Sequence, residues 1–104
     1  MIEIVTVIGR TYEGLARWLK YHNLTVPDEK EAADIVIAII KAYQNNDTER
    51  AKEIIERIIQ VTNSPPELAK DVIRQFGRLA ETCMVLFHLV DKFLVKSSEK
   101  KGNE

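Results

Sequence analysis

The sequence predicts an all-α protein, a four-helix, bundle-like domain whose long C-terminal helix joins it to copies of itself. Three observations carry this expectation. Ala69, Val72, Phe76, Leu79, Cys83, Leu86, Val90 and Phe93 recur at alternating spacings of three and four, the a and d positions of about four heptads. A second row, Ile73, Ala80, Phe87 and Leu94, widens the stripe to that of a bundle helix rather than a narrow two-stranded seam. The chain ahead of it is divided by Pro, Asn, Asp and Ser clusters into three further helix-length segments.

The first segment places Ile4, Ile8, Tyr12, Leu15, Leu19 and His22 on one helical face. Its opening, IEIVTVI, is rich in β-branched residues, and Gly9 and Gly14 each weaken a helix by up to about 1 kcal/mol. Helix is preferred over a short strand followed by a helix from about Thr11, but residues 2–8 stay open between the two. Thr25-Val26-Pro27-Asp28 offers Thr25 as N-cap with Asp28 as the acid reaching back, so the second helix is expected over 26–44. The apolar run Ala33 to Ile40 within it reads as the central, mostly buried helix. Asp47 or Asn46 caps a third helix over 48–62. Ser64-Pro65-Pro66-Glu67 places Ser at the N-cap, Pro in the first turn and Glu third, opening a helix over 65–96. The expected organisation is one helical domain over 1–96 and a polar, disordered tail over 97–104.

With 104 residues the chain is one domain large enough for a real core. Hydrophobic residues make up 45% and charged residues 30%, which excludes overall disorder. A net charge of -1 and a pI near 6.1 argue against strong unspecific attraction to nucleic acid or anionic membrane. The single cysteine, Cys83, makes no internal disulfide and lies in the apolar stripe, so a buried thiol in a reducing, cytoplasmic setting is expected. No apolar run reaches the roughly 18 residues that span a bilayer, and MIEIVTVIGR lacks a signal-peptide pattern. Abundant Ile, Glu, Lys and Arg give a thermophile-like composition.

Length argues for assembly. A helix over 65–96 is about 48 Å long at 1.5 Å per residue, whereas a compact domain of this size measures roughly 33 Å across. Cys83 to Val90 is apolar nearly all round the helix, and such a segment needs cover on more than one side. Shorter helices cover one side; a second copy is the simplest cover for the other. The contact is expected at Leu79, Cys83, Leu86, Phe87, Val90 and Phe93. Trp18 and Tyr21 are expected to add part of a site for another protein, aromatic residues being enriched at interfaces.

Chemistry is thinner. Arg17-Trp18-Leu19-Lys20-Tyr21-His22 resembles the Arg-x4-His motif of HEPN-type ribonucleases, which are helical dimers. The resemblance covers six residues and implies that Arg17 binds the scissile phosphate while His22 assists proton transfer. The residue after the arginine, polar in most of that family, is Trp18 here, and the motif sits on the first helix rather than late in the domain. Elementary physics supplies the other account, a solvated Arg17 and a histidine that meets the negative end of the helix dipole. Glu49, Glu53 and Glu56 with Glu31-x-x-Asp34 resemble the paired acids by which helical nucleotide pyrophosphatases hold Mg²⁺, in reversed order. As a solvated face, the same residues give Glu53–Arg57 as an i,i+4 pair. Gly9 to Gly14 has the glycine separation of a phosphate loop but lacks the Lys-Ser/Thr that would meet phosphate and metal. Two histidines and one cysteine, far apart, form no zinc motif. No metal or cofactor is expected.

The turn Thr62-Asn63-Ser64 has the form of a helix-turn-helix link, but the next helix presents Glu67, Lys70, Asp71, Arg74, Gln75 and Arg78, mixed in sign. Lys92, Lys96, Lys100 and Lys101 make a modest basic end. The expected function is therefore a small oligomeric interaction protein, an adaptor, assembly subunit or regulatory accessory factor. Its partners are its own copy and another protein. Nucleic-acid binding, or ribonuclease activity through Arg17 and His22, is the runner-up.

Overall fold

The computed structural model describes the backbone of residues 2–102 and the side chains of 10–89, 91 and 92. The described residues form four α-helices and no strand: α1 Ile2–Tyr21, α2 Glu29–Gln44, α3 Thr48–Thr62 and α4 Pro66–Gly102. The β-branched opening is thus helical. α4 runs past the expected end near residue 96, and the polar side chains of 97–104 lie outside the described residues.

The turns show why the helices stop where they do. Asn23, Asn46 and Asn63 take positive φ of 60°, 51° and 53°, one in each connection. Asparagine tolerates this left-handed conformation because its short amide can bond locally. At Asn63 the reversal lets the amides of Asn63 and Ser64 donate to the carbonyls of Gln60 and Ile59, closing the end of α3.

Two caps differ from expectation. The α2 cap is Asp28, whose carboxylate accepts from the Glu31 amide at 2.8 Å. Thr25 instead donates its amide to the Thr62 carbonyl at 2.9 Å, tying the α1–α2 link to the end of α3. An extended residue before Pro27 cannot start a helix, so the turn begins after the proline. Ser64 does not cap α4 either. Its hydroxyl pairs at 2.5 Å with Thr62, which donates to the Ile58 carbonyl, and the Pro65 carbonyl begins the α4 ladder. Asp47 caps α3 as expected, accepting from the Arg50 amide at 3.0 Å.

α4 is the hub. It packs against each of the other three helices, while α2 also packs against α3. Tyr12 lies beside Cys83 and Phe87, and the end of α1 lies near the start of α4, so α1 runs antiparallel along α4. The expectation that α2 is the central helix is therefore corrected. Ile35 and Val36 are buried, but Ala33 and Ile37 are exposed because α2 covers only one flank of α4. Phe76, Leu19, Ile35, Ile58 and Val72 are the large side chains fully removed from water. The molecule measures 58 × 30 × 18 Å with a radius of gyration of 16.1 Å, against about 13 Å for a compact domain of this length. Its long axis is the length of α4.

Gly77 interrupts α4 in mid-helix, yet a Cβ there meets nothing within 4 Å and its φ is not positive. Gly77→Ala is expected to raise unfolding stability by about 1 kcal/mol, through lower backbone entropy in the unfolded chain. Urea titration checks it; a loss of stability would show that the glycine is needed for packing.

Candidate interaction surface

The sequence alternates its exposure along α4 between residues 79 and 89. Leu79 and Cys83 face the other helices and are buried in the chain's own core. Met84 and Leu86, on the flanks, are half-buried. Val85, two residues beyond Cys83 and so about 200° round the helix, is 59% exposed, and Leu89, one turn further, is 54% exposed. Phe87 returns to the inner side but is 53% exposed. The six residues expected at a contact between copies are therefore split. Leu79 and Cys83 are covered within one chain, Leu86 is half covered, Phe87 is open, and the side chains of Val90 and Phe93 lie outside the described residues.

Phe87 is open because α1 and α2 each lean on α4 without closing on one another. Between them runs a groove of about 240 Å³ with Leu79, Cys83 and Phe87 on its floor, Tyr12 on one wall and Ala33, Val36 and Ile37 on the other. The Tyr12 hydroxyl donates to the Pro27 carbonyl at 2.7 Å, where the α1–α2 link passes that wall. Burial, then Glu29 and Asp28 nearby, raise the Tyr12 pKa above its usual value. Burial likewise raises the Cys83 thiol, which keeps it protonated and a poor nucleophile near neutral pH. Both shifts favour the neutral form in the fold. Their contribution to stability is present below the unfolded pKa values and is lost as pH rises through the folded ones. A second apolar groove of about 360 Å³ lies between α2, α3 and α4, with Ile39, Ile54, Ile58 and Ile73 along it and Tyr43 exposed at its edge. Neither was legible in the sequence, because periodicity names apolar faces and not the gaps between helices.

Arg17 and His22, the two residues of the Arg-x4-His motif, both lie at the C-terminal end of α1. Arg17 is exposed, and His22 follows α1 at a position about 140° round the helix. The His22 ring lies 4.3 Å from Trp18, tilted 47°, and 5.1 Å from Tyr21, edge-on at 82°. Trp18 packs on the core while Tyr21 is exposed, so the aromatic cluster reaches the surface at the end of α1.

Of the paired acids, Glu49, Glu53 and Glu31 stand beside cations, and the expected Glu53–Arg57 pair is replaced because Arg50 takes Glu53 while Arg57 turns to Glu31. Glu53 accepts from Arg50 at 2.9 Å, and Glu31 of α2 lies 3.6 Å from Arg57 of α3. These exposed pairs fix little energy. Among the described residues no three His, Cys, Asp or Glu side chains converge as metal donors. The Gly9–Gly14 segment lies inside α1, not in a loop. Among the described residues no helix is long and apolar enough to cross a membrane. Comparison of the chain with protein-family models, curated proteins and solved structures gives no match.

Proposed function

We propose that this protein is a small helical interaction protein that associates with itself through α4 and serves, in the cytoplasm, as an adaptor, assembly subunit or regulatory accessory factor. The observation that carries this reading is the exposure of Val85 and Leu89 on the outer side of α4, beside a Phe87 that its own helices leave half open. Val85 and Leu89 on the outer side, and Phe87 above the α1–α2 groove, are each more than half exposed, and none of the four described helices lies over them. Such a patch marks a contact surface more often than a solvated one. The lone buried thiol supports a reducing compartment.

Light scattering during gel filtration tests the reading. The expected mass is a multiple of 11.9 kDa that falls on dilution. A single-chain mass at every concentration up to about 1 mM, where even a weak pair with a dissociation constant of that order would show, overturns it.

A further inference from the structure

Val85 and Leu89 project from the outer side of α4, whereas the α1–α2 groove opens over Phe87 on the inner side. A two-fold contact uses the same patch on both copies, and joining unlike patches gives rings or open chains. A closed pair built on α4 is therefore outer face to outer face or groove to groove. The groove lining carries one charged residue, Glu29, and no cation to answer it. The outer face is different. Arg74, Arg78, Glu81, Val85, Leu89 and Lys92 follow one another along it, all exposed.

In a parallel, in-register pair each of those charges would meet its own copy. An antiparallel pair centred between Leu86 and Phe87 instead sets Glu81 opposite Lys92 of the partner subunit, on the same flank of the seam, and does so twice by symmetry. In that register Val85 stands opposite His88 of the partner subunit, and Leu89 opposite Met84 of the partner subunit, so the apolar side chains of both copies occupy the stretch between the two ion pairs. On these grounds, and resting on the self-association reading above, we propose that a second copy of this chain docks antiparallel on the outer face of α4, with Glu81 and Lys92 setting direction and register.

Charge exchange tests it. In equilibrium sedimentation of the full chain, Glu81→Lys alone and Lys92→Glu alone are each expected to weaken association about tenfold, since two pairs are reversed at once. The double variant is expected to return to within about twofold of the original, because the same pairs re-form with their signs exchanged. Unchanged helical circular dichroism confirms folding, both positions being exposed. A dimer indifferent to the single changes, or a double variant no tighter than the singles, overturns this docking while leaving self-association intact. A single-chain mass for the unsubstituted protein overturns both.

Discussion

Phe76→Ala is expected to lower unfolding stability by about 3–5 kcal/mol, the range for deleting a buried aromatic ring and leaving part of its volume empty. Phe76 is 0% exposed and lies in the middle of the core stripe of α4, the helix on which the other three rest. A neighbouring helix cannot slide in to close the gap without losing its own contacts along α4. With natural domains stable by only about 5–15 kcal/mol in all, the variant is expected to be partly unfolded at modest urea concentrations. Denaturation followed by circular dichroism, extrapolated to water, gives the value. Phe87→Ala, with a ring 53% exposed, is the control and should cost under about 1 kcal/mol in the single chain. Equal losses at the two positions would refute the assignment of inside and outside on this helix.

Leu19→Ala is expected to cost about 2–5 kcal/mol, and its effect should be local before it is global. α1 is held almost wholly by α4, and Leu15 and Leu19 are its buried anchors among the described side chains. Loss of one anchor should let α1 open below the free energy of complete unfolding. Two readouts follow that opening. Trypsin should cut after the exposed Arg17 and Lys20 before it cuts within α3, and Cys83, whose thiol is shielded by burial, should alkylate faster. Cleavage at all sites at one rate would mean that α1 melts with the rest and is not separately held.

Much of the fold is legible in the sequence, for physical reasons that differ by element. α3 reads true from end to end because Asp47 caps it and Asn63 ends it, with no competing signal between. α2 starts later than expected because Thr25 and Asp28 are both good caps, and only the restriction before Pro27 separates them. The opening of α1 is ambiguous from its β-branched residues alone, since they fit a pleated strand as well as a helix packed on a partner. The apolar girth of α4 around Cys83 to Val90 is also visible. The side that stays open is not, because a periodic stripe says which residues share a face and not which neighbours arrive to cover it. Val85 and Leu89 were detectable as apolar residues off the main stripe, and that departure was the usable signal.

The hub arrangement also has a temporal consequence. During translation α1, α2 and α3 leave the ribosome before the helix that organises them exists. At typical elongation rates the remaining stretch takes on the order of a few seconds to emerge. Throughout that interval Leu15 and Leu19 of α1, along with the apolar edges of the α2–α3 hairpin, have no permanent partner within the nascent polypeptide. Helices of 15 to 20 residues are only marginal by themselves, so until α4 arrives each of the three forms and melts repeatedly, and the caps of α2 and α3 serve to speed their return.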